Sequence, residues 1–144
     1  MELGDILDKS IDDLMDLPKK DPPPNGHYRL QLKGGFKEIN NKPKIVFTYK
    51  VLEPLELANP ADMENLKENV EFDEMFDPFG GNEISEGYFK AAIKPIAEHF
   101  KVAQLRDVLS VIQAGIEVFG TVKKTQDKDD KERYYGKVSN IVVA

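Results

Sequence analysis

The chain has 144 residues, with 26 Asp and Glu against 20 Lys and Arg, a net charge of −6. At 40% hydrophobic and 32% charged it is long enough for one domain with a single core and too apolar for global disorder. The absence of Cys excludes disulfides and thiolate chemistry, two His residues without Cys argue against a structural zinc site, and no apolar run nears the roughly 18 residues of a membrane span.

Residues 3–17 carry Leu3, Ile6, Leu7, Ile11 and Leu14 at helical spacing, with Asp5, Asp8, Asp12, Asp13 and Asp16 largely elsewhere, which predicts an amphipathic helix. Pro18 ends it, and Pro22-Pro23-Pro24 reads as a stiff extended connector before the turn Asn25-Gly26. Residues 1–21 are therefore expected to form an arm and linker, and residues 22–144 the domain. Too short to be a stable helix alone in water, the arm must dock on something, and docking on another chain, such as a second copy, is expected over packing onto its own domain. The opening Met-Glu-Leu-Gly-Asp lacks the basic and apolar regions of a secretory signal, so the expected compartment is the cytoplasm.

From His27 the period changes to two. Tyr28, Leu30 and Leu32 alternate with Arg29, Gln31 and Lys33, and Gly34-Gly35 predicts a bulge or sharp bend before the strand ends at Ile39. A turn at Asn40–Pro43 leads to a second strand over 44–52, with Ile45, Phe47, Tyr49 and Val51 inward and Lys44, Val46, Thr48 and Lys50 outward. Residues 53–68, with Pro54 and Pro60, read as an acidic excursion, and 69–76 as a third strand with Val70 and Phe72 inward. Asp77–Asn82 is a turn whose acids do not fit a calcium loop. Ser85 is the expected N-cap of a helix reaching about Phe100, with Phe89, Ala92, Ile93, Ile96, Ala97 and Phe100 as its buried stripe and Pro95 kinking it or splitting off its first turn. A second helix over 102–113 stops at Gly115. Alternation returns with Ile116, Val118, Gly120 and Val122 inward and Glu117, Phe119, Thr121 and Lys123 outward, and a last strand runs over 133–143 in either of two registers. The order predicts a mainly β (α+β) fold, a five-stranded antiparallel barrel of the OB-fold type, with a helical insertion between the third and fourth strands and an N-terminal helical arm.

Charge is unevenly placed. Residues 22–52 hold six bases and one acid, and residues 53–86 hold eleven acids and one base. Basic segments thus lie between acidic ones, which reopens a nucleic-acid reading that net charge alone would discourage.

Asn25-Gly26-His27-Tyr28, Lys42-Pro43-Lys44-Ile45-Val46-Phe47, Val51-Leu52-Glu53-Pro54, Ala114-Gly115-Ile116-Glu117-Val118, Gly120-Thr121-Val122, and Tyr135 with Val138 together resemble the small OB-fold single-stranded-DNA-binding proteins of bacteriophages. The resemblance spans residues 24–144 as a pattern of strands and turns. It implies a role in phage DNA replication or recombination in the host-cell cytoplasm, with a replication protein as a further partner for residues 3–17. The acidic C-terminal tail with which such proteins recruit replication partners has no counterpart in Ser139-Asn140-Ile141-Val142-Val143-Ala144.

Single-strand binding requires cations along a phosphate track and aromatic faces for bases. Arg29, Lys33, Lys44 and Lys50 on the first hairpin, with Lys123, Lys124, Arg133 and Lys137 around the last, are the phosphate candidates. Phe36, Phe119 and Tyr135 are the stacking candidates. Glu71, Asp73 and Glu74 on the third strand count against this surface unless they face away. Neither His27 nor His99 adjoins a nucleophile, and no phosphate-loop or dinucleotide motif occurs, so no enzyme, metal or cofactor is expected. The expected function is sequence-independent binding of single-stranded DNA. The competing reading is a non-enzymatic protein-interaction or virion-accessory β-barrel.

Overall fold

The structure is a computed structural model that describes residues 21–39 and 41–144; the expected helical arm over 3–17 lies outside them. Strands β1 (Gly26–Ile39), β2 (Lys42–Leu57), β3 (Glu71–Phe76), β4 (Ile116–Gln126) and β5 (Tyr134–Val143) form one antiparallel sheet in the order β3-β2-β1-β4-β5. A short 3-10 helix, Pro60–Asn65, follows β2, and helices α1 (Glu83–Phe100) and α2 (Leu105–Ala114) separate β3 from β4.

Period-two alternation decides which face of each strand is dry. Tyr28, Leu30 and Leu32 of β1 and Ile45, Phe47 and Tyr49 of β2 are fully buried, and Val118 and Val122 of β4 join them. Phe47 meets Phe76 edge-on at 4.9 Å between ring centroids, Tyr49 stacks on Phe72 at 5.3 Å, and Phe76 lies 5.5 Å from Phe89 of α1. The β1–β2 turn is tight, pairing Ile39 with Lys42 and placing Asn41 in the left-handed region at φ 64°, which Asn tolerates.

Several local expectations need correction. No register shift occurs at Gly34-Gly35; pairing runs unbroken from Lys33 opposite Thr48 to Phe36 opposite Ile45. Gly34 serves packing instead, because a Cβ there would lie 2.9 Å from Phe47 Cδ1 and 3.0 Å from Ile112 Cδ1, where α2 meets the hairpin. The shifts lie at the other end of β1, leaving Leu52 and Leu55 of β2 without partners. These bulges carry β2 through Pro54 to Leu57, so the excursion expected from residue 53 begins later.

Asn82, not Ser85, caps α1, its side chain accepting from the N–H groups of Ile84 (2.9 Å) and Ser85 (3.3 Å). The helix also continues unsplit through Pro95. The carbonyl that Pro95 deprives of a partner belongs to Ala91, an exposed residue where water can take its place. Phe89, Ala92 and Ile96 are buried as expected, whereas Phe100 at the last turn is exposed. Helix α2 starts at Leu105 rather than 102, buries Val108 and Ile112, and ends at Gly115 with φ 92°.

In β5, Gly136 and Val138 face inward, and then Ile141 does. The change of parity comes from an irregularity between Phe119/Val142 and Thr121/Ser139, with Asn140 at φ 53°. This bulge is why alternation alone left two registers.

The sheet curls into a half-barrel whose edge strands approach through side chains. Val138 N–H donates to Glu74 Oε1 at 3.3 Å. A Cβ on Gly136 would come within 2.8 Å of Phe72 Cδ2 and 2.7 Å of Pro22 Cβ, so only glycine permits this approach. Pro22 and Pro23 are buried, and Tyr28 OH donates to the Pro24 carbonyl. Residues 22–24 are thus packed onto the half-barrel and do not act as a detached spacer. Among the described residues no helix is long and apolar enough to cross a membrane.

Candidate nucleic-acid interface

The two basic hairpins differ once their cross-strand neighbours are known. On the outer face of β1–β2, Arg29 has Nε 3.3 Å from Glu53 Oε2 and Nη1 3.5 Å from Glu117 Oε2. Lys44 Nζ lies 2.6 Å from Asp77 Oδ2, its side chain only 15% exposed. Lys50 stands between Gln31 and Glu71 across the sheet. Lys33 is opposite Thr48, whose hydroxyl donates to Asp73 Oδ1 at 2.7 Å. Glu71 and Asp73 therefore share the face of these lysines and oppose phosphate there. Phe36, 53% exposed, has the parity of the buried face and leans on Phe79 at 6.3 Å, away from the outward lysines.

The β4–β5 hairpin carries a different arrangement. Residues 118–126 and 133–144 contain four bases, Lys123, Lys124, Arg133 and Lys137, and no acid. Lys123 and Lys137 are direct cross-strand partners on the outer face, and Thr125 and Tyr135 form the next outward pair. Phe119, 36% exposed, sits opposite Val142 and Arg29 on the same side. The Arg133 guanidinium lies 5.1 Å from the Tyr135 ring centre, and that ring is 42% exposed. Tyr135 OH donates to Asp127 Oδ2 at 2.8 Å, which raises the phenol. Asp127 is lowered, first by the Asp129 N–H it accepts and then by this hydroxyl, so it stays ionised at the loop tip.

Lys124 does not share the face of Lys123. It points to the barrel end, with Nζ 4.5 Å from the Tyr134 ring centre, beside a cavity of about 770 Å³ also lined by Pro22, Pro23, Asp62 and Lys67. Of the expected residues, the structure thus brings Phe119, Lys123, Tyr135 and Lys137 onto one face with Arg133 at its end; Arg29 and Lys44 are held in ion pairs, and Phe36 and Lys124 lie elsewhere.

Tyr88 of α1 was not expected in the site. It is 65% exposed and carries Lys137 Nζ 5.7 Å from its ring centre, extending the cation–aromatic strip beyond the sheet. The signal for it was its place outside the apolar stripe of α1; that the helix sets it beside β5 is a tertiary fact. Of the three acids of β3, Glu74 alone faces away from the outward lysines. It has the inward parity of Phe72 and Phe76, and desolvation pushes its carboxyl up to about 7 against the opposing pull of the Val138 N–H and Lys137. The neighbouring Tyr49 hydroxyl is fully buried with no hydrogen-bond partner, and burial raises it well above its ordinary value.

His27 Nδ1 lies 2.7 Å from Thr121 Oγ1 on the exposed surface, and His99 packs edge-on against Phe100 at 4.8 Å. Among the described residues no group of three or more His, Asp or Glu side chains is placed to hold a metal ion. Comparison with protein-family models, curated proteins and solved structures gave no match.

Proposed function

We propose that the protein binds single-stranded DNA by a non-covalent mechanism that tolerates any sequence, as a strand-coating factor in phage replication or recombination. The observation that carries this reading is the outer face of β4–β5 beyond Glu117, which Arg29 engages: there Lys123 and Lys137 stand side by side among the rings of Phe119, Tyr135 and Tyr88. Phosphates would follow Lys123, Lys137 and Arg133, while bases would lie on the aromatic faces, which accept every base because each has a π surface. A curled five-strand sheet with helices between β3 and β4 is also the arrangement of an OB-fold, which supports the same reading. Bound strand cannot re-pair with its complement, and no bond to the protein has to be made or broken.

Titration of a labelled oligothymidylate at several salt concentrations tests this. Each phosphate contact on a single strand contributes about −0.7 to the logarithmic salt slope, so three or four contacts give roughly −2 to −3. A second reading, a protein-docking module, draws on the exposed Phe36–Phe79 pair. It takes precedence if micromolar protein shows no salt-dependent strand binding.

A further inference from the structure

Between α1 and the ends of β3 and β5 lies a cleft of about 580 Å³, a size usual for small-molecule sites. Ala92 on one side and Val138 and Ile141 on the other make its walls apolar. Tyr88 also lines it, with Lys137 held over the ring. Glu74 contributes the carboxyl group, fixed by the bond from Val138 N–H to Oε1. A carboxylate has about four acceptor positions, and this backbone bond uses one. Asp77, the other carboxylate lining the cleft, is already engaged by Lys44. Lys137 belongs both to this cleft and to the outer face of β4–β5, so a strand lying along that face passes the opening.

Resting on the single-strand reading, we propose that the cleft takes one guanine base from the bound strand, stacked on Tyr88 with its N1–H and N2–H donating to the Glu74 carboxylate. The choice of base follows from its edge. A carboxylate only accepts, and among the four DNA bases guanine alone offers two adjacent donors on its Watson–Crick edge. Adenine and cytosine set an acceptor beside their donor, and thymine flanks its single donor with two acceptors. Two parallel N–H groups facing two carboxylate oxygens form a fork like that of an Arg–carboxylate pair. Apolar walls strengthen these bonds by excluding water. The groups facing Glu74 are Lys137 from β5, Tyr49 from β2, and Asp77 and Tyr88 at the cleft. Of these only Lys137 brings a positive charge, which favours the ionised form. Strands of any sequence still bind through the outer face, and the cleft adds a favoured register.

The test compares three labelled oligothymidylates, differing at one central position that holds thymine, guanine or hypoxanthine, in anisotropy titrations at pH 8. Hypoxanthine keeps N1–H and lacks the N2 amine. Guanine should bind about tenfold more tightly than thymine, with hypoxanthine between them. Glu74→Gln keeps a carbonyl for Val138 N–H but turns an amide donor toward the base, and should bring all three strands to equal affinity. Tyr88→Ala, at an exposed site where folding is not at stake, should reduce the guanine preference. Equal affinities in the unaltered protein, with strand binding intact, overturn the guanine site and leave the strand-binding surface standing. A guanine preference that survives Glu74→Gln in a folded variant also overturns it. Absence of binding to all three strands removes both proposals.

Discussion

The first hairpin has the larger basic excess in sequence, and the last hairpin has the more available cations in the folded protein. In β1–β2, Arg29 and Lys44 are drawn into ion pairs by Glu53, Glu117 and Asp77, and Lys50 faces Glu71 across the sheet. In β4–β5, Arg133 and Lys137 lie over aromatic rings and Lys123 pairs with a second lysine. Charge counted along a segment therefore says little about a surface, because each strand's neighbours come from elsewhere in the chain. The acids of residues 53–86, separate from the bases in sequence, become their cross-strand partners once β3 adds to β2.

The largest expected effect concerns Glu74, the acid that no base of the first hairpin neutralises. Its carboxyl titrates at about 7 in the folded protein against an ordinary value of 4.5. Between those values the folded state holds a proton that the unfolded chain has lost, so stability falls as pH rises through this window and is level above it. The gap corresponds to about 3 kcal/mol. Glu74→Gln should therefore be more stable than the native protein at pH 8 by up to about that amount, with a flatter profile. Denaturant melts at pH 5 and pH 8 measure this, and a parallel loss at both would contradict it.

Next in size is the double reversal Lys123→Glu with Lys137→Glu. It removes two phosphate contacts and adds repulsion, so affinity for oligothymidylate at 0.1 M salt should fall by about a hundredfold and the slope should shallow by about 1.4. The matching reversal of Lys33 and Lys50, in a surface already occupied by acids, should cost much less. Equal losses for the two pairs would erase the contrast between the hairpins.

Tyr135→Ala should lose about 1–2 kcal/mol of binding with the salt slope nearly intact, as expected for stacking. Thermal melting checks that the exposed ring is not needed for folding. Smallest of all, Lys44→Gln breaks the pair with Asp77 and should cost at most about 1 kcal/mol of stability, leaving the salt slope unchanged.

Much of this architecture was legible because period-two alternation is a local property. Tyr28, Leu30 and Leu32, and later Val118 and Val122, could be assigned to the buried face from residue order alone. The failures occur where a third element enters. Gly34 looks like a bulge in sequence, but its small size accommodates Ile112 of α2. The register of β5 could not be read because Asn140 reverses the parity halfway along. Lys44 and Arg29 looked free because their carboxylate partners lie far away in sequence, in the turn after β3 and on the neighbouring strands β2 and β4, and Tyr88 entered the site only because α1 packs beside β5. Residue types and alternation predict a strand's faces, whereas the partners of a surface charge depend on sheet order.

The most direct measurement is the salt dependence of oligothymidylate binding for the native protein beside the two double reversals. The expected result is a native slope of roughly −2 to −3 that shallows by about 1.4 when Lys123 and Lys137 are reversed and stays close to native when Lys33 and Lys50 are. Loss of slope and affinity confined to the Lys33 and Lys50 pair, or no salt-dependent binding at micromolar concentrations, would contradict the assignment of the β4–β5 face.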